Sequence, residues 1–417
     1  MLIVAITGGS GFVAQHLIRY IHENSGDAVS EIRTIDRKPF IPRIEYSPHI
    51  PMTHHRCDLA TEFAKLKDIL QGVNCVFHLA RKSLTYLYRF DEEALEQEYI
   101  RDNVTATERL MDAIFACNVE HLVYMSDAYA NLPTGDNFGT GETIHSQLPA
   151  SYLLGKYGET RSRAELHSRK LVGKKLPNGA TFHAVFLRPT FIYGEGDLKL
   201  PTALCRIAEK YGGRIPGDIE GSSRGLLQYV RTKIFLVNPL PIESLKRLGR
   251  QCADIYVGNL VGMMENAMRI LSTDPSKCTG EFFYVMDQTF CTKFSEFLYP
   301  IIRALKYEVG SNRSYYLCYG ATILREYFAR LSGIKPQYDD MSSYALRELY
   351  AFGLGFSNRK QCLILNYISK GTQAQNISRT VAWIATNFRN PQESQNDDIP
   401  LKKKIEIESV LRSDKSG

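Results

Sequence analysis

Short apolar runs alternate with stretches of helical period through the first half of the chain. The run Leu-Ile-Val-Ala-Ile-Thr at 2–7 reads as a buried strand, and residues 11–22 carry apolar positions at helical spacing. The same alternation predicts strands at 31–36, 75–80, 121–126 and 183–187, with helices at 63–70, 93–117 and 151–171. Strands that are apolar throughout are buried on both faces. The expectation is therefore an α/β fold, a doubly wound parallel sheet with helices on both sides. The pattern sets a first domain over 1–195, with segments near 250–287 returning to the sheet. A smaller C-terminal substrate-binding region over 196–392 follows, and the polar residues 393–417 read as a flexible tail.

Composition narrows the function classes. Hydrophobic residues make up 44% and charged residues 23% of the 417, and the net charge is a mild +6. That is ordinary globular composition. Basic residues are dispersed apart from Lys402–Lys404, which argues against a nucleic-acid partner. Nine cysteines without a C-x-x-C pair read as reduced thiols, with neither a disulfide framework nor a metal site expected. No run reaches the roughly 18 apolar residues of a membrane span. The opening run is too short for a secretory signal core and has no charged flank.

The first strand runs into Thr7-Gly8-Gly9-Ser10-Gly11-Phe12-Val13-Ala14. A tight strand-to-helix turn needs glycine, which permits positive φ and leaves no Cβ in the way. The backbone at Gly8, Gly11 and Phe12 is then able to approach a pyrophosphate at the helix N-terminus. Ala14 stands where a third glycine often sits, a position that requires only a small residue. Asp36 ends the second strand, and a carboxylate there accepts hydrogen bonds from both hydroxyls of an adenosine ribose while repelling a 2′-phosphate. This is a Rossmann-type turn that favours NAD(H) over NADP(H), with Arg37 expected to soften the preference.

Later segments resemble the extended short-chain dehydrogenases. They are Cys57-Asp58-Leu59, Val76-Phe77-His78-Leu79-Ala80, Asn103-Val104-Thr105-Ala106-Thr107 and, most sharply, Leu187-Arg188-Pro189-Thr190-Phe191-Ile192-Tyr193-Gly194. The resemblance spans 2–287 and implies that Asp58, Leu59, Ala80, Asn103 and Pro189 line the cofactor. Within that superfamily the chain is most similar to the 3β-hydroxysteroid dehydrogenase/isomerase family. Residues 315–336 resemble its amphipathic C-terminal helix, which in the family contacts membrane and sterol, whereas periodicity alone favours an ordinary core helix.

The resemblance implies hydride transfer between a carbinol carbon and the nicotinamide. A Tyr serves as acid/base, a Lys one helical turn later holds the ribose, and a Ser donates to the substrate oxygen. Two registers are available. Tyr152-Leu153-Leu154-Gly155-Lys156 satisfies the bare Y-x-x-x-K spacing. Tyr157-Gly158-Glu159-Thr160-Arg161 sits in the fuller family context, with Arg161 in the lysine place, and that context favours Tyr157. Five residues apart, the two rings lie about 140° apart round a helix and cannot face one site equally. The serine position is also altered. In His121-Leu122-Val123-Tyr124-Met125-Ser126-Asp127 the catalytic hydroxyl falls on Asp127, and Ser126 points to the other face. An ionised Asp127 cannot donate, and it is expected to form a compensating ion pair with Arg161.

Three functions are compatible with these residues. The first is NAD-linked oxidation of a 3β-hydroxysteroid or related sterol. The second is binding of NAD or sterol without catalysis, and the third is chemistry on a sugar nucleotide or aldehyde. Expected alongside the first are peripheral association with a membrane, on the cytosolic face of the endoplasmic reticulum, and self-association into a homo-oligomer.

Overall fold

The computed structural model describes residues 1–84, 92–132, 137–140, 149–217, 219–220, 251–252, 254–287, 292–333, 343, 354–367 and 369–388. The expected tail at 393–417 lies outside them.

Seven strands form one parallel sheet: β1 (Leu2–Thr7), β2 (Val29–Asp36), β3 (Met52–Arg56), β4 (Cys75–His78), β5 (His121–Met125), β6 (His183–Pro189) and β7 (Phe282–Val285). Their order is β3-β2-β1-β4-β5-β6-β7, and every neighbouring pair is parallel. The winding reverses between β1 and β4, which opens the crevice at the carboxyl ends where such sheets take ligands. β4 is buried at every position, as a central parallel strand must be. β3 escapes the sequence pattern because its Met-Thr-His-His-Arg is polar, and it forms the sheet edge, where one side needs no covering.

Helices cover both faces. α1 (Phe12–Asn24) comes directly after the glycine turn, and α2 (Phe63–Leu70) lies where its apolar spacing predicts. The expected helix at 93–117 is three pieces: α3 (Glu92–Tyr99), a wider π turn over Ile100–Thr105, and α4 (Ala106–Ala116). α5 (Gly155–Arg169) carries the candidate catalytic residues and starts four residues later than the apolar spacing suggests. After α6 (Lys199–Lys210), α7 (Val257–Thr273) packs on the α1 face of the sheet.

Two apolar cores result, one on each side of the sheet. Val4, Ile6, Leu17, Phe77, Val185 and Met264 belong to one. Ala5, Val76, Leu110, Tyr124, Phe186 and Tyr284 belong to the other. The alternation of neighbours such as Ala5 and Ile6 between the two is the period-2 geometry of a strand.

Beyond β6, Phe191–Tyr193 pairs in parallel with Asp254–Tyr256, outside the main sheet. Gly194 comes directly after Tyr193, and a Cβ there would stand 2.3 Å from Val257 Cγ1. α8 (Phe294–Ala304) and α9 (Tyr315–Ser332) lie further along the chain. α9 ends on Gly333 in the left-handed conformation, and 334–336 of its expected extent lie outside the described residues. It buries only Tyr315 and Thr322, while Tyr316, Leu317, Ile323, Leu324, Tyr327, Phe328 and Leu331 are exposed. The spacing of Leu317, Leu324, Phe328 and Leu331 puts them on one apolar stripe facing solvent.

Candidate active site

The glycine turn lies at the crevice. Gly8 has φ +70°, and a Cβ there would fall 2.9 Å from Ala80 Cα, so the turn and the end of β4 touch backbone to backbone. Gly8 and Gly9 each donate an N–H to Ile35 O, which ties the turn to β2. Thr7 Oγ1 accepts from Leu79 N at 3.2 Å and Ala80 N at 3.3 Å. Gly11 is the N-cap of α1 and has no side chain to engage the first-turn N–H groups. The positive end of the helix is thus clear for an anion.

Asp36 ends β2 beside this turn. Its Oδ2 accepts from Ser10 N at 3.1 Å and its Oδ1 from Lys38 N at 2.9 Å, so the turn itself orients the carboxylate. Arg37 is directed elsewhere: Nη2 lies 2.8 Å from Asp102 Oδ2, with Asp58 at 4.0 Å. Asp58 also pairs with Arg101, and its Oδ1 accepts from Ala60 N. Arg37 thus faces two carboxylates while its side chain stays half exposed. Leu59 is buried in the core. Asn103 is fully buried: Oδ1 accepts from Lys82 N at 3.0 Å, and Nδ2 donates to Thr160 Oγ1 at 3.1 Å. It holds the segment after β4 against α5. The residues present suit a dinucleotide: a close backbone turn, an open helix pole and an oriented carboxylate one strand away.

Tyr157 lies at the carboxyl ends of β4 and β5, near Ala80 and Asp127. α5 approaches closely there because Gly158 has no side chain; a Cβ would fall 2.7 Å from Ala130 O. The Tyr157 ring packs with Leu95 and Tyr99. Its hydroxyl donates to Asp127 Oδ2 at 2.7 Å and accepts from Arg81 Nη1 at 3.0 Å. Arg81 Nη1 also reaches Asp127 Oδ2 at 3.1 Å. Burial pushes the phenol well above the ordinary tyrosine pKa; Asp127 adds to the rise, and the charges of Arg81 and Arg161 oppose it.

The altered lysine and serine positions resolve differently from expectation. Arg161 is completely buried, donates from Nη2 to Met125 O at 2.6 Å, and lies over the Tyr124 ring. It makes no pair with Asp127. Its guanidinium lies at the end of β5, out of contact with solvent. The partner of Asp127 is Arg81, which no motif marked. The only signal in the sequence is a charge directly after the apolar run ending at Ala80, at the edge where such sheets bind ligands.

Ser126 points to a later part of α5 than Tyr157, where its Oγ donates to Glu165 Oε2 at 2.5 Å. Glu165 in turn holds Arg188 through Nη2 at 2.6 Å and Nε at 3.0 Å, a fully buried pair. Pro189 ends β6, and its carbonyl accepts from Ala128 N at 3.0 Å. With Ser126 N on Leu187 O at 2.7 Å, this brackets Asp127 between two strand-to-strand bonds. The other register does not converge. Tyr152 precedes α5, and Lys156 pairs with Glu96 at 3.0 Å and Glu159 at 3.1 Å.

His78 lies below the turn, with Nδ1 2.7 Å from Thr7 Oγ1 and Nε2 3.1 Å from Thr107 Oγ1. Burial, helped by the Arg161 charge, pushes its pKa down to about 3, so it is neutral. Among the described residues no cluster of His, Cys, Asp and Glu is arranged to hold a metal ion.

The 3-beta hydroxysteroid dehydrogenase/isomerase family model matches residues 5–216 and 245–317, which include both strands and helices of this site. The chain belongs to that family. The Vaccinia virus (strain Copenhagen) 3 beta-hydroxysteroid dehydrogenase/Delta 5-->4-isomerase is 25% identical over 318 residues, 75% of this chain and 79% of the viral protein. Short-chain dehydrogenase/reductase family 42E member 1 of Xenopus laevis is 25% identical over 314 residues, 74% of this chain and 69% of its own length. Among solved structures, MoeE5 in complex with UDP-glucose and NAD superposes with a TM-score of 0.61 at 17% identity, covering 93% of this chain and 99% of that one. The dTDP-glucose 4,6-dehydratase DesIV of Streptomyces venezuelae, with NAD and TYD bound, gives 0.60 at 15% identity, covering 93% and 98%. The likeness to these two is one of fold. Family membership makes the chain an oxidoreductase of the short-chain dehydrogenase type.

Proposed function

We propose that this protein is an NAD-dependent dehydrogenase that oxidises the hydroxyl of a 3β-hydroxysteroid or related sterol, with Tyr157 receiving the substrate proton. The observation that carries the reading is the position of Tyr157 Oη. It lies at the carboxyl edge of the sheet, hydrogen-bonded to Arg81, which directly follows the Ala80 that touches the glycine turn. A phenol there meets a carbinol oxygen held against a dinucleotide lying along the crevice.

The cofactor is NAD, which when bound supplies the hydride acceptor. The backbone of Gly8, Gly11 and Phe12 holds its pyrophosphate, and Asp36 its adenosine ribose. Asn103 and Pro189 fix the segments on either side of the reacting centre. The sterol is supported by the family, by the viral relative's name and by the exposed apolar stripe of α9. That stripe also supports peripheral attachment to the cytosolic face of the endoplasmic reticulum. No helix among the described residues is long and apolar enough to span a membrane.

A second reading, an NAD-binding protein without turnover, is favoured by one observation: a carboxylate, Asp127, holds the place of the donor hydroxyl. Incubating purified protein and NAD with a panel of 3β-hydroxysterols, and separately with UDP-sugars and simple alcohols, decides between them. NADH formation confined to sterols is expected. Turnover confined to UDP-sugars overturns the sterol assignment, and tight NADH binding without turnover of any compound leaves the binding protein.

A further inference from the structure

The Arg81–Asp127–Tyr157 cluster joins three elements at one phenol oxygen. Arg81 comes from the segment after β4, Asp127 from the segment after β5, and Tyr157 from α5. We propose that Arg81 is the cation that governs Tyr157, and that Asp127 is the acceptor to which Tyr157 passes its own proton. Together they replace the lysine and serine of the family pattern. This rests on the dehydrogenase reading above.

Geometry assigns both roles. Arg81 is fixed on either side, since Ala80 N donates to Thr7 Oγ1 and Lys82 N donates to Asn103 Oδ1. Asp127 is fixed as well, because its Oδ1 accepts from Tyr129 N at 2.9 Å and only Oδ2 turns to the phenol. A carboxylate only accepts and a guanidinium only donates, so the Tyr157 proton lies on the Asp127 side. The phenol oxygen has two lone pairs. One takes the Arg81 N–H, which leaves the other to accept from a substrate hydroxyl. Among the described residues the further charge acting on the phenol is Arg161 from α5 itself, whose Nη2 is directed to Met125 O; α3 contributes the uncharged Tyr99 ring at 5.7 Å. Arg81 is therefore the cation in contact with the oxygen.

In the oxidation the substrate O–H bond breaks and its proton moves to Tyr157 Oη as the Tyr157 proton moves to Asp127 Oδ2. The carbinol C–H bond would break, its hydrogen and electron pair being taken up by the oxidised nicotinamide dinucleotide, and the carbon–oxygen double bond would form. The Asp127 side chain keeps 14% of its surface open, which gives the proton an exit to water. Arg81 acts through Tyr157 and is a positioning residue. Asp127 differs from a serine in removing a proton where a serine would donate one.

The test reads Tyr157 directly and needs no substrate. Full-length protein labelled with 13Cζ-tyrosine is titrated by NMR to the highest pH at which NADH binding persists, with the Tyr157 resonance assigned by its loss in Tyr157→Phe. Asp127→Asn should raise the phenolate fraction at that pH. Adding Arg81→Met should lower the ionisation constant again by about tenfold or more, the effect of a charge in contact. Arg81→Lys in the same background should keep it within a few-fold. NADH binding monitors folding of each variant. Equal phenolate fractions in all variants, or equal effects of Arg81→Met and Arg81→Lys, overturn the proposal. If the ionisations keep this order and no sterol is turned over, the proton assignment stands and the dehydrogenase reading fails. If Tyr157→Phe abolishes sterol turnover but the ionisations do not move, the reverse holds.

Discussion

Tyr157 and Asp127, thirty residues apart, meet at 2.7 Å where the family pattern sets a phenol beside a serine hydroxyl. The meeting depends on two close approaches. Gly158 lets α5 reach the Ala130 carbonyl, and the backbone bonds of Ser126 and Ala128 to β6 hold the residue between them in place. Both residues are placed by neighbours that carry no chemistry.

Replacing Tyr157 with Phe should reduce turnover by about 10²–10⁴-fold, the range for loss of a general acid/base. Phe keeps the packing against Leu95 and Tyr99 and removes only the proton-carrying oxygen. NADH affinity, read by fluorescence, should stay within about twofold. Tyr152→Phe should change turnover little, because Lys156 beside it points to Glu96 and Glu159. A reversal of the two effects would move the site to the other register.

Asp36→Ser should narrow the preference for NAD(H) over NADP(H). The carboxylate makes charge-assisted hydrogen bonds worth roughly 1.5–3 kcal/mol, so NADH affinity should fall about tenfold or more. Calorimetry with both cofactors measures it. Tighter NADPH than NADH binding by the unaltered protein would exclude this role for Asp36.

Glu165→Ala should destabilise the fold by about 3–5 kcal/mol in urea denaturation, since it leaves the Arg188 charge buried and unanswered. Burial alone would raise the Glu165 pKa, but the Arg188 charge and its hydrogen bonds outweigh that and hold it below the usual carboxylate value. A depressed carboxylate stabilises above its unfolded pKa of about 4.3 and loses the contribution as pH falls through the folded value. Glu165→Gln should therefore flatten the stability profile below about pH 4.3.

His78 should leave a different mark on stability. Its folded pKa of about 3 is below that of the unfolded chain, so the unfolded state binds the proton first. Stability is complete above about pH 6.5 and falls as pH drops from there toward the folded value. His78→Gln should remove that part of the slope, which unfolding midpoints at successive pH values will show. An unchanged slope would mean that His78 is charged in the folded protein.

Leu324→Glu and Phe328→Glu on α9 should weaken liposome binding more than tenfold each, because burying such a side chain contributes about 1.5–3 kcal/mol. Co-sedimentation with vesicles of endoplasmic reticulum composition reads the effect, with NADH binding as the control for folding. Binding unaffected by either change would remove α9 as the attachment.

Local pattern made much of this protein legible. The sequence determined the parallel sheet through its fully apolar strands, and the dinucleotide turn through Gly8, Gly11 and Asp36, because these depend on neighbouring residues and on a fixed period. The amphipathic reading of α9 came from the family resemblance, since periodicity alone does not separate a surface helix from a core helix. β3 was hidden because an edge strand need not be apolar. Only the tertiary structure decided how the catalytic charges pair. Arg161 and Asp127 are natural partners by their motif positions, yet a guanidinium on α5 reaches to Met125 O, while Arg81 arrives from the segment after β4. Side-chain reach and the crossing of three elements at one point set that arrangement, and neither is written in the spacing along any one of them.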